Sequence, residues 1–156
     1  MTAVYGPRHL RKVEAMKPAL GFIAGFLAVL LFHQPVLALL ESTGFLQAAT
    51  YSMRATAPFG VPEVLSLAFW GGVWGILFAL AERRFPRGTG YWVTSFLFGA
   101  VLPTLVAWFI VAAVKGEPIA AGGDAHRMMS GLLINGAWGV GTALLLRLGL
   151  RIRGAT

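Results

Sequence analysis

His33, Gln34, Ser66, Thr104 and Asn135 are the residues of this chain best suited to do chemistry, because each sits inside a long apolar stretch. Polar side chains at membrane depth are costly and turn toward a bundle interior, where they hold a ligand, relay a proton or bond to one another. A neutral imidazole at His33 would lock helices together by hydrogen bonding to Asn135, Thr104 or a freed backbone carbonyl. An imidazole that titrates near neutral pH would instead make the group an outward-opening pocket for a proton, a small solute or a headgroup. Pro35 and Pro103 bear on both readings, since a proline lacks the N–H that would occupy the carbonyl one turn earlier. No catalytic set accompanies them. The acids Glu41, Glu63 and Glu82 lie near the ends of the apolar stretches, and no HExxH, suitably placed GxSxG, P-loop or carboxylate–histidine set at metal spacing occurs. The expectation is therefore a non-enzyme with no cofactor and no metal site; one histidine at membrane depth leaves no bis-histidine haem.

The elements that position these residues are four apolar segments, Pro18–Leu40, Val64–Ala81, Tyr91–Val114 and Met129–Leu146. About 20 apolar residues in a helix cross a hydrocarbon core about 30 Å thick, whereas barrel strands need only about 9–11. The chain is 57% hydrophobic and 12% charged, against about 25% charged in soluble domains. The fold expected is all-α, a polytopic membrane protein with four transmembrane helices in one bundle and a single integral membrane domain over residues 1–156. There is no cysteine, so no disulfide framework is expected.

The net charge of +7 is distributed unevenly. The N-terminal arm, the link between the second and third segments, and the C-terminal end together hold ten basic residues against Glu14 and Glu82. The other two links hold Arg54, Lys115 and Arg127 against four acids. Lys and Arg accumulate on the cytoplasmic side, so both termini are expected there. Basic residues so close to helix ends set orientation and touch anionic lipid; nucleic-acid binding is not expected, because no aromatic-basic reading module accompanies the charge. A secretory signal peptide is the competing reading of the first segment, with a conceivable cut after Ala38. That segment exceeds the usual apolar core of about 7–15 residues and is interrupted by His33-Gln34-Pro35, so retention is expected.

Between the first two segments, Ala57–Pro62 favours an extended or turned backbone, with Arg54 placed to pair with Glu41 or Glu63. The short link at Pro86-Arg87-Gly88 predicts a hairpin of the second and third helices. In the last link, Gly122–Arg127 reads as a flexible loop in which Arg127 is the one residue placed to hold a headgroup phosphate.

Small residues predict the packing. Gly21-x-x-x-Gly25 and Gly71-x-x-x-Gly75 allow close backbone approach, and Gly131, Asn135 and Gly139 share one stripe of the fourth helix. Packing within one subunit is the plain expectation; a homo-oligomer or a larger membrane complex would use the same faces. A weak 2+2 parallel repeat runs beneath these motifs. Trp74-Gly75-x-x-x-Ala79-Leu80 matches Trp138-Gly139-x-x-x-Ala143-Leu144, with Ser66, Gly72 and Arg83 matching Ser130, Gly136 and Arg147, and Ala28-Val29-Leu30 matching Ala100-Val101-Leu102 at another offset.

Phe32-His33-Gln34, Pro58–Pro62, Leu65–Gly75, Leu102–Phe109 and Asn135–Gly139 together resemble a group of small bacterial four-helix inner-membrane proteins, similar across nearly the whole chain. The resemblance implies a bacterial inner-membrane setting, multi-pass, and carries no mechanism. The residues themselves point to a non-enzymatic membrane protein that packs against itself or a partner complex. The alternative is a small oligomeric transporter or channel with His33 and Asn135 on its path.

Overall fold

A computed structural model describes the backbone of residues 7–152 and the side chains of residues 15–152. Four long helices dominate it. Helix α1 runs Pro7–Ala28, widens into a π turn at Val29–His33 and continues as Gln34–Ser42. Helix α2 is Glu63–Ala81, closed by a 3₁₀ turn at Glu82–Arg84. Helix α3 runs Thr89–Val106, passes a second π turn at Ala107–Val111 and ends at Ala112–Lys115. Helix α4 is Ala125–Ile152. Their apolar spans hold 28, 22, 27 and 28 residues, long and apolar enough to cross a membrane. At about 1.5 Å per residue, even the shortest, at about 33 Å, exceeds the hydrocarbon thickness. The chain is an all-α membrane protein.

One end of the bundle, the Glu82 end, carries Lys17, the α2–α3 turn and Arg147. The opposite end carries the two longer links. Between α1 and α2, Ala55–Thr56 (β1) and Val61–Pro62 (β2) pair as a short antiparallel ribbon, tied by the Thr56 hydroxyl donating to the Val61 carbonyl at 2.7 Å. Arg54 pairs with Glu63 at 3.3 Å, and Glu41 instead accepts from the Thr50 hydroxyl at 2.6 Å.

The helices pack in the order α2–α1–α4–α3, and glycine decides the close contacts. A Cβ on Gly25 would strike the Gly71 carbonyl, and one on Gly75 would strike that of Gly21. In the other pair a Cβ on Gly99 would strike the Asn135 carbonyl, and one on Gly139 that of Ser95. The two pairs are the same arrangement, with Gly21 and Gly25 answering to Ser95 and Gly99, and Gly71 and Gly75 to Asn135 and Gly139. Phe22 lies over Gly72 as Phe96 lies over Gly136. The parallel repeat is thus visible as a repeated packing unit, and α3 aligns with α1 through its Ser95-x-x-x-Gly99 rather than through the Ala-Val-Leu match.

The repeat is broken where the halves meet. Helices α1 and α4 dock closely: Gly141 lies against the Phe32 ring, and the Trp138 indole N–H donates to the Gly25 carbonyl at 2.9 Å. Their counterparts α2 and α3, joined by the shortest link, meet through rings instead. Phe98 stands edge-on to both Trp74 and Phe78, at 6.5 and 5.2 Å between centroids. The expected α2–α3 hairpin exists in the chain path, but each of its helices packs more closely on a different neighbour. Close backbone approach requires glycine on both helices, and here the facing positions carry large rings.

Candidate functional site

Hydrogen bonds among the described residues do not join the five polar residues into one group. Asn135, on α4, donates its amide N–H to the Thr104 hydroxyl on α3 at 2.8 Å, and Thr104 in turn reaches the Gly131 carbonyl at 3.4 Å. Thr104 is buried, and this pair sits one turn beyond the Gly99–Asn135 backbone contact. It joins α3 to α4 within one half of the bundle.

Gln34 belongs to a different structure. Its side chain is buried, and its Oε1 accepts the backbone N–H of Tyr51 at 2.7 Å. The π turn explains the geometry. The Gln34 N–H reaches back five residues to the Val29 carbonyl, so the next acceptor in that register is Leu30. Pro35 has no N–H to give it. The Tyr51 hydroxyl donates to the Leu30 carbonyl at 2.7 Å, closing the gap from outside the helix. Tyr51 reaches this position with a left-handed backbone, φ 50°, where a non-glycine residue is rare. A freed carbonyl was expected near Pro35; its occupant is a loop tyrosine, not His33.

His33 therefore stands apart. It is half-buried, and its Nδ1 is enclosed without a hydrogen-bond partner among the described residues; the expected bond to Asn135 or Thr104 is not made, because those two satisfy each other. Ser66, half-buried on α2, makes no side-chain hydrogen bond among the described residues and joins none of these groups. The Thr142 hydroxyl on α4 is a second enclosed polar group without a partner among the described residues, and it was not among the expected site residues.

The glycine expectations divide similarly. Gly21, Gly25, Gly71, Gly75 and Gly139 are at close contacts, whereas a Cβ at Gly131 would find its nearest neighbour, Thr104 Cγ2, at an ordinary 3.5 Å. Gly131 has the right stripe but faces side chains that leave room. Gly99, which sequence reasoning passed over, is as tightly held as Gly139; its signal was the small-x-x-x-small spacing with Ser95.

Sequence reasoning also missed a charged group at the Glu82 end, to which all four helices contribute. Lys17 Nζ lies 3.2 Å from Glu82 Oε1, and the Tyr91 hydroxyl donates to Glu82 Oε2 at 3.0 Å. The Arg147 guanidinium carbon lies over the Tyr91 ring, 3.4 Å from its centroid, and 5.4 Å from that of Trp92. Both the Lys17 and Glu82 side chains are largely enclosed, at 16% and 9% exposure. The only sequence signal was the Arg83–Arg147 match of the repeat, and it is the third-helix aromatics that gather the charges.

At the opposite end, Thr43–Gln47 and Asp124, His126 and Arg127 line an open recess of about 630 Å³, with the Phe45 ring edge-on to His126 at 5.0 Å. Asp124 caps α4 by accepting the Arg127 N–H at 3.0 Å, and that bond holds its carboxyl below the usual carboxylate range. Among the described residues, no three histidine or carboxylate side chains come together as metal ligands.

Comparison with known protein families, curated proteins and solved structures finds no match for this chain.

Proposed function

We propose that this chain is a non-enzymatic structural or accessory protein of a bacterial inner membrane, multi-pass, with both termini cytoplasmic, which packs against itself or a larger complex. The observation that carries the reading is the closed interior. Backbones touch at Gly25–Gly71 and Gly99–Asn135, and Thr104 pairs with Asn135 as Gln34 does with Tyr51, so the paired helices leave no gap at these levels and three of the five polar residues at membrane depth are already engaged. What remains for a partner is the outer surface, where Phe69, Trp70, Leu102 and Leu105 are exposed on α2 and α3. Excess Lys and Arg at the Glu82 end support the orientation. The chain has no native cysteine, so single cysteines at Arg84 and Phe59 can be probed with an impermeant maleimide on intact cells; labelling at Phe59 alone fits the orientation, and labelling at Arg84 alone reverses it. Native mass spectrometry after gentle extraction tests the role. A species bound to further subunits, or to a second copy without solute, supports it; a homo-oligomer that carries a small solute and moves it across vesicle membranes overturns it.

A second reading, a small oligomeric transporter, rests on the enclosed and unpartnered Nδ1 of His33. Replacing His33 by Gln and by Ala separates the two. Equal complex formation by both variants fits the packing role, whereas loss of solute movement in His33→Gln as well as His33→Ala would assign the imidazole a proton-transfer role.

A further inference from the structure

We propose that the recess at the Glu82 end binds a phosphate-bearing anion, held by the Arg147 guanidinium with Lys17 and Arg87 beside it. The recess measures about 310 Å³ and is lined by residues of α1, the α2–α3 turn, α3 and α4. Among the described residues, the cations Lys17, Arg87 and Arg147 line it, and Glu82 supplies a carboxylate. That carboxylate is already engaged, one oxygen by Lys17 and the other by Tyr91. Arg147 has no carboxylate within ion-pair distance among the described residues. A half-buried guanidinium in that position gains from an external anion.

The geometry selects the kind of anion. Contact with the Tyr91 and Trp92 rings holds the guanidinium carbon 3.4 Å from the Tyr91 centroid and 5.4 Å from that of Trp92, which restricts the rotamers Arg147 can take. A planar fork held this way matches two oxygens of a tetrahedral phosphate, and a pre-set rotamer lowers the entropy lost on binding. Glu82 fixes Lys17 and Tyr91, and through Tyr91 the floor on which Arg147 lies; it is a positioning residue. Phe85, Pro86 and Leu150 supply an apolar wall beside the charges. A phosphodiester attached to acyl chains meets both surfaces, and the recess lies at the helix ends, the level of lipid headgroups. Free phosphate shares the recognised chemistry and lacks the apolar part. The inference goes beyond the packing role and holds whichever side of the membrane this end faces.

The test uses the full chain, delipidated in a neutral detergent, with native mass spectrometry and titration of phosphatidylglycerol, phosphatidylcholine and inorganic phosphate. One retained phosphatidylglycerol per chain is expected, with affinity at least about tenfold above phosphatidylcholine and weakened by salt. Arg147→Gln should lower that affinity at least about tenfold. Exposed Arg87→Gln, which leaves the packing untouched, should lower it severalfold, and Arg54→Gln at the far end should not change it. Inorganic phosphate that binds alone with the same Arg147 dependence would identify a free anion as the occupant and uphold the site. Equal retention of both lipids without phosphate binding, or affinity unchanged in both Arg147→Gln and Arg87→Gln, would overturn it.

Discussion

Replacing Gly75 by Ala should destabilise the bundle, although alanine is the better helix former. A Cβ at Gly75 would lie 2.9 Å from Gly25 Cα and 3.0 Å from the Gly21 carbonyl carbon, and closer still to its oxygen. Carbon pairs rest at about 3.5–4.0 Å, so the α1–α2 axes must part by at least about 0.6 Å at this level. A gap of that size forfeits about a quarter to a half of each dispersion contact along the seam, and the reciprocal Gly25–Gly71 contact lies one turn away in the same seam. Overpacking costs about 1–3 kcal/mol, and the helix propensity gain offsets at most about 1 kcal/mol, since helices persist in detergent-unfolded states. The net expectation is a loss of about 1–2 kcal/mol. Gly139→Ala, its counterpart in the other half, should cost about as much. Gly131→Ala is the control, because its Cβ enters ordinary contact at 3.5 Å and should leave stability unchanged or slightly raised. Unfolding in mixed micelles with increasing SDS, followed by tryptophan fluorescence, measures all three. Equal stability of Gly75→Ala and Gly131→Ala would refute the reasoning that backbone contact, rather than glycine content, holds the helix pairs.

Thr104→Val should cost about 1 kcal/mol by leaving the Asn135 amide without its acceptor, and a double-mutant cycle with Asn135→Ala should recover most of that as coupling. Trp138→Phe removes the N–H held by the Gly25 carbonyl from a site only 2% exposed, and should destabilise the α1–α4 contact by about 1–2 kcal/mol in the same unfolding assay. The folded-state carboxyl of Asp124 titrates below its unfolded value, so its capping contribution is present above the unfolded pKa and lost as pH falls through the folded one. Hydrogen-exchange protection of the Arg127 amide should fall over that acidic range in the native chain, and should be low at all pH in Asp124→Ala.

How much of this was legible depends on the physical quantity. Four apolar segments, their length and the clustering of Lys and Arg at alternate ends are one-dimensional properties, so they determine an all-α membrane bundle without reference to contacts. The GxxxG spacings of α1 and α2 were legible for the same reason, and Ser95-x-x-x-Gly99 was equally legible. Pro35 announced a freed carbonyl, because a missing N–H is a local fact.

The partners were not legible. Helices that are apolar nearly all round give no sequence signal for which face turns inward, so rotation is decided by contacts at the scale of one methyl group. That is why Gly131, on the right stripe, has room for a side chain, and why Asn135 meets Thr104 while His33 meets neither. Gln34 was a polar residue in a membrane span until a loop 17 positions away supplied the N–H that its side chain accepts. Lys17, Glu82, Tyr91 and Arg147 come from four separate stretches and meet only because the helices end at one level. The sequence by itself determined the solvent the chain belongs in, since that depends on composition and segment length. Tertiary structure alone decided which polar groups satisfy each other and which remain to meet a ligand, since that depends on distances of about 3 Å between residues far apart in the chain.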